Sequence, residues 1–205
     1  SSAASDVYKR QVQVVRCFED PDVIHVSGEV DPIADIEIIE TELMLADMQT
    51  LENALSKAQR TARSGDKEAK LRVEVIGKCN QHLETDSPLR TLQLNEAEAA
   101  AISSYGLMTA KPVLYVANVG ELDLDGKDPL VLRVREHAEN SGARVVCVCA
   151  KLEAEIAELD EEDRAEMLAE AGLEYAALSQ IAREAYRTLG LQSYFTAGEK
   201  EVRAW

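Results

Sequence analysis

Three short apolar runs constrain this chain most: residues 12–18 (VQVVRCF), 113–117 (VLYVA) and 144–149 (RVVCVC). Each is rich in β-branched residues and bounded by breakers, the pattern of strands buried in a parallel sheet. The first ends in Glu19-Asp20-Pro21, where proline cannot extend a ladder. Between the second and third, residues 129–140 alternate as an amphipathic helix that Ser141-Gly142 stops. Strand, loop, helix, strand with short connections predicts a right-handed parallel crossover, hence an α/β fold with the loops after Ala117 and Cys149 on one carboxyl edge.

The stretch between the first two strands is helical. From Asp35 to about Ala62, Met48, Leu51, Leu55, Ala58 and Ala62 recur at intervals of three and four, as in a two-helix seam. Ser64-Gly65-Asp66 interrupts the pattern. A second helix follows to about Glu84 with Ala69, Val73, Ile76 and Leu83 as its complementary stripe, so the pair is expected to form a projecting antiparallel hairpin. Asn95-Glu96-Ala97-Glu98 has the form of a capping box opening a helix to Tyr105. Further helices are expected over 160–171 and 175–189, then a β-hairpin of 192–196 and 199–205 around Ala197-Gly198.

Charge divides the chain. The formal net charge is −16, which argues against polyanion binding over the whole surface and against DNA as a partner. Yet residues 57–72 hold six basic and two acidic side chains, and the predicted hairpin tip carries Lys57, Arg60, Arg63 and Lys67. That tip is open to two readings, contact with RNA or another acidic partner, or ordinary solvated charge. Residues 153–170 carry nine acids against Arg164 and read as a solvated helix face. No apolar run approaches the ~20 residues of a membrane span, and no membrane partner is expected. Cys17, Cys79, Cys147 and Cys149 have neither disulfide density nor metal spacing, which suits a reducing, cytoplasmic setting. His25, His82 and His137 fall on separate predicted elements, so neither a metal cluster nor a catalytic triad is assigned.

Ligands of open parallel sheets sit beyond the carboxyl ends of the strands. There the chain places Asn118-Val119-Gly120-Glu121 and Ala150-Lys151. An Asn amide can present a donor and an acceptor to a purine edge or tie neighbouring loops together, while the backbones of Val119 and Ala150 could reach exocyclic atoms. A strand-terminal Asn is also a common turn former, and these residues leave both roles open.

The segments Arg16-Cys17-Phe18-Glu19-Asp20, Ile24-His25-Val26, Val30-Asp31-Pro32, Asp35-Ile36-Glu37, Glu42-Leu43, Leu45-Ala46-Asp47, Tyr115 to Asn118 with Glu121, and Tyr194-Phe195-Thr196-Ala197-Gly198 together resemble the YchF or Obg-like P-loop ATPases of the translation-factor class. That family has a P-loop domain interrupted by a coiled-coil hairpin and followed by a small TGS domain. Residues 1–11 match neither strand nor helix periodicity and read as a non-native leader; for the rest the resemblance implies 12–34 and 111–190 as parts of the nucleotide-binding domain, 35–110 as the helical insertion, and 191–205 as the start of a TGS domain. It also implies an ATPase that uses ATP and Mg2+ and associates with the ribosome. Related GTPases read NKxD where this chain reads Asn118-Val119-Gly120-Glu121; adenine and guanine present opposite donor and acceptor patterns there, so ATP is the expected nucleotide. Asn118 and Val119 are then the expected base contacts, Ala150 and Lys151 close the other side, and Glu121 supports them.

One departure matters for chemistry. None of the ten glycines begins a Gly-x-x-x-x-Gly-Lys-Ser/Thr loop. Hydrolysis needs that loop for the phosphates and magnesium, so no catalytic residue is assigned and this stretch is expected to be inactive by itself, as an internal piece of a longer ATPase. The competing expectation is a non-enzymatic protein- or RNA-interaction module built on the helical hairpin.

Overall fold

A computed structural model describes residues 11–19, 30–173, 176–188, 195–197 and 202–204. Residues 1–10 of the proposed leader 1–11, the Ile24-His25-Val26 segment, Tyr194, Gly198 and Trp205 lie outside the described residues, whereas Gln11, assigned to that leader, stands in the first strand.

Three strands, β1 (Gln11–Arg16), β2 (Val113–Asn118) and β3 (Arg144–Val148), form a parallel sheet in the order β1-β2-β3. The register runs from Gln11 opposite Val113 to Arg16 opposite Asn118, and from Leu114 opposite Arg144 to Asn118 opposite Val148. β1 therefore begins at Gln11, one residue earlier than the sequence pattern suggested.

The helices are α1 (Pro32–Ala62), α2 (Lys67–Leu83), α3 (Glu96–Ile102), α4 (Pro129–Ser141), α5 (Ala150–Glu158), α6 (Glu161–Glu170) and α7 (Ala177–Thr188). A short antiparallel pair, β4 (Phe195–Ala197) with β5 (Val202–Ala204), follows.

The central strand β2 is covered on both faces. Val113, Tyr115 and Ala117 pack with Ile36 of α1, Val131, Val134 and Ala138 of α4, and Leu152 and Ile156 of α5. Leu114 and Val116, with Val146, meet Ile181 and Ala185 of α7 on the other face. The first strand differs from the expectation of full burial. Val15 and Cys17 are buried, but Val12 and Val14 are 50% and 67% exposed, because the helix covering that face lies over β2 and β3.

α1 starts three residues before the apolar periodicity does. Asp31 caps it, its carboxylate accepting from the amides of Ile33 (3.1 Å) and Ala34 (3.4 Å), and Pro32 occupies the first turn, where a missing N–H costs nothing. α1 and α2 form a helical pair joined by a turn in which Gly65 has φ +90°. Their seam is Leu51, Ala54 and Ala58 against Val75, Ile76, Cys79 and Leu83. Met48, Leu55 and Val73, assigned to the stripe from spacing, flank it half-buried, since a 3.6-residue period drifts from a seven-residue one. The capping box is present: Glu98 N donates to Asn95 Oδ1 (3.0 Å) and Asn95 N to Glu98 Oε2 (2.9 Å).

Candidate functional site

At the carboxyl edge, β2 ends at Asn118 and β3 at Val148, side by side in register. Here the second loop expected from the sequence is replaced by helix. Ala150 and Lys151 form the first turn of α5, entered directly from Cys149. The amphipathic spacing of Leu152 and Ile156, both buried, drives that turn to form so early.

The structure brings all five expected base-site residues together. Ala150 N donates to Asn118 Oδ1 at 3.0 Å, so the Asn side chain ties the end of β2 to the start of α5. Because only the carbonyl oxygen can accept that bond, the amide's orientation follows, and its NH2 group is directed elsewhere as a donor. Val119 is 2% exposed, and its N–H donates to Val148 O at 2.9 Å. The expectation that the backbones of Val119 and Ala150 reach a ligand is thereby narrowed. Both N–H groups are already engaged within the fold, so neither is free to donate to a ligand.

Across the turn, Lys151 Nζ donates to Glu121 Oε2 at 3.0 Å. That hydrogen bond, then the carboxylate's charge, raises the Lys151 ammonium above its ordinary range. Both side chains are exposed, so solvent screens the pair and its contribution is to position more than to stabilise. Glu121 opens a short 3-10 turn after Gly120, and Asp123 in that turn accepts from the amides of Lys127 (2.7 Å) and Asp128 (3.1 Å). Gly126, at φ +66°, closes this loop against β3, where a Cβ would stand 2.5 Å from Cys147 Sγ.

Two neighbours received no role from the sequence. The Arg16 guanidinium lies 4.8 Å over the Phe18 ring, and its Nε donates to Phe18 O at 3.1 Å. Gly120 lies against Phe18, whose Cβ would be 3.8 Å from a glycine Cβ, so the β1 edge borders the Asn118 turn. Only the strand register, which sets Arg16 opposite Asn118, could have shown this.

The remaining expectations fall elsewhere. Lys57, Arg60, Arg63 and Lys67 are exposed around the turn that joins α1 and α2, the far end of the helical arm these two helices make. His82 bonds Thr91 Oγ1 (2.8 Å) and His137 lies against Tyr115, while no cluster of metal-ligating side chains exists among the described residues. No helix among them is long and apolar enough to cross a membrane.

No family model matches the chain. The ribosome-binding ATPase YchF of Escherichia coli O157:H7 is 50% identical over 192 residues, covering 94% of this chain and 53% of that protein. That of Bacillus subtilis is 44% identical over 195 residues, again 94% and 53%. Among solved structures, the Schizosaccharomyces pombe YchF GTPase superposes with a TM-score of 0.82 at 31% identity, covering all of this chain and 56% of that one. The chain thus spans about half the length of the relatives it matches.

Proposed function

We propose, for a chain that belongs to the YchF or Obg-like family over the stretch it spans, that the Asn118 turn and the start of α5 hold the purine base of ATP. The carrying observation is the bond from Ala150 N to Asn118 Oδ1. It occupies one lone pair of the Asn carbonyl, fixes the amide's orientation and leaves its NH2 to donate to a purine ring nitrogen. On this reading the Val119 carbonyl would meet the exocyclic position on a small opening of the turn, accepting from the amino group of adenine and opposing the carbonyl of guanine. Lys151 and Glu121 bracket the base from the two sides of the turn.

No Gly-x-x-x-x-Gly-Lys-Ser/Thr loop occurs in these 205 residues, so on this reading the chain itself would bind a base without hydrolysing the nucleotide. In the longer relatives' setting the same site would serve an ATPase acting at the ribosome in the cytoplasm, with β4 and β5 opening a TGS domain.

A specific observation also favours the interaction reading for the arm. Lys57, Arg60, Arg63, Lys67 and Lys70 have no ion-pair partner among the described residues, whereas most cations elsewhere are paired, as in Arg133 with Asp31 and Arg144 with Glu184. Uncommitted cations at the end of a projecting helical pair suit ribosomal RNA or another polyanion.

A 15N chemical-shift titration of the chain with adenosine and with guanosine tests the base site. Adenosine should shift the amides of residues 118–121 and 149–151, guanosine less so, and Asn118→Ala should abolish the effect. No shift at millimolar adenosine, or equal shifts in Asn118→Ala, would overturn the assignment.

A further inference from the structure

α1 belongs to two cores at once. Ile36 packs in the sheet's apolar cluster and Met44 in the arm's, and the two clusters share no residue. Between Ile36 and Met44 the helix has no buried residue, and Glu40 stands half-way along that gap.

Its carboxylate is nonetheless largely withdrawn from water, with 12% of the side chain exposed. Glu40 Oε1 pairs with the guanidinium of Arg90, whose side chain is 7% exposed. The same oxygen accepts from Tyr115 OH at 2.9 Å. Arg90 Nε donates onward to Ser141 O (3.3 Å) in the last turn of α4, and Arg90 N to Thr109 O (2.9 Å). His137 of α4 completes the surround, its Nε2 3.9 Å from Glu40 Oε2 and its ring edge-on to Tyr115 at 5.9 Å. One carboxylate therefore joins the arm's long helix, the segment returning from the arm, the central strand and α4.

We propose that Glu40 is the positioning residue of a rigid polar joint that sets the angle of the helical arm against the sheet. Apolar contacts are non-directional, and two separate cores leave the angle between them weakly specified. A buried ion pair with a second, directed hydrogen bond has one good geometry, and its low-dielectric surroundings sharpen the preference. Tyr115 lies three residues before Asn118 on β2, so displacement of the arm is delivered to the strand that ends in the candidate base site. That last consequence rests on the base-site reading; the joint does not.

The test uses the full chain without nucleotide, which separates the two. Nitroxide labels are attached bio-orthogonally at exposed positions Gln59 on the arm and Glu136 on α4, and the interlabel distance distribution is measured by pulsed electron resonance. The parent should give one narrow peak. Tyr115→Phe, which removes a single hydroxyl from a ring that stays packed, and Glu40→Ala should both broaden it, while Glu40→Asp, which shortens the reach, should shift its centre. A peak as narrow in Tyr115→Phe and Glu40→Ala as in the parent, with unchanged far-ultraviolet circular dichroism, overturns the proposal by showing that apolar packing alone sets the angle. Should Glu40→Ala fail to fold, Tyr115→Phe decides.

Discussion

Replacing Asp47 should destabilise the arm more than any other single polar substitution there. Asp47 is 1% exposed, and its carboxylate accepts from Met108 N, Thr109 N and Thr109 Oγ1, each at 2.7 Å. In Asp47→Ala the hydroxyl can turn, but the two amides stay inside without an acceptor. A buried donor left unpaired costs about 1–3 kcal/mol, and hydrogen bonds to charged groups contribute about 1.5–3 kcal/mol each, so the loss should be about 3–5 kcal/mol. Set against about 5–15 kcal/mol for a typical domain, that is a large fraction. Asp47→Asn keeps one acceptor oxygen but turns an NH2 toward a donor, and should cost about half as much. Urea unfolding followed by circular dichroism at the helix band gives the free energy, and hydrogen exchange at Met108 and Thr109 gives its location. Glu42→Ala, on the exposed side of α1, is the control and should stay within about 0.5 kcal/mol of the parent. An Asp47→Ala protein within about 1 kcal/mol of the parent would refute the premise that these bonds hold the returning segment.

Gly126→Ala combines a left-handed φ of +66° with a Cβ 2.5 Å from Cys147 Sγ, and should lower stability by about 2–4 kcal/mol in a thermal melt; an unchanged midpoint would count against the close packing of this loop. Glu98 is held below the usual carboxylate range by its hydrogen bond to Lys78 and then by the Asn95 amide, and Lys78 is raised chiefly by Glu98. A depressed carboxylate contributes stability above its unfolded pKa that is lost as pH falls through the folded one, so α3 should loosen in acid below the ordinary glutamate range; the raised Lys78 contribution is lost only as pH rises past the ordinary lysine range. Hydrogen exchange in α3 across pH, compared with Glu98→Gln, should show the acid limb vanish in the variant. Burial pushes the thiols of Cys17 and Cys79 up to about 12 and about 11, so neither should react with Ellman's reagent at neutral pH until the chain is unfolded; rapid native labelling of either would contradict their burial.

Much of the architecture was legible because it depends on local chemistry. β-branched runs, the Asn95–Glu98 box and the glycine stops at 142 and 172 carry their physics within a few residues. The start of α1 is hidden in the sequence because Asp31 and Pro32 look like the end of a loop until the cap bonds form. Ala150 reads as loop in the sequence because periodicity cannot announce a helix from its first turn. At the site, Asn118 as a tie between loops was foreseen as chemistry, but which of its groups remains for a ligand depended on Ala150 N being within 3.0 Å. Glu40, Arg90 and Tyr115 were invisible for a different reason. They are 50 and 75 residues apart, and nothing in a polar residue on a helix says that it will be buried against a distant strand.

The arm also bears on how the chain reaches its fold. β1 and β2 pair although their partners, such as Gln11 and Val113, stand roughly a hundred residues apart, a separation that makes a pairing slow to find. α1 and α2 contact each other along their length through a tight turn, and local helical contacts of this kind form in microseconds. Once the returning segment is fastened by Asp47 and Arg90, the ends of the insertion lie together and the flexible loop left to close is far shorter. With loop entropy growing as the logarithm of length, that saves about 1–1.5 kcal/mol of the barrier to strand pairing. By this reasoning the helical pair shortens the search for the β1–β2 pairing, and unzipping its tip should slow sheet formation while leaving the finished sheet untouched.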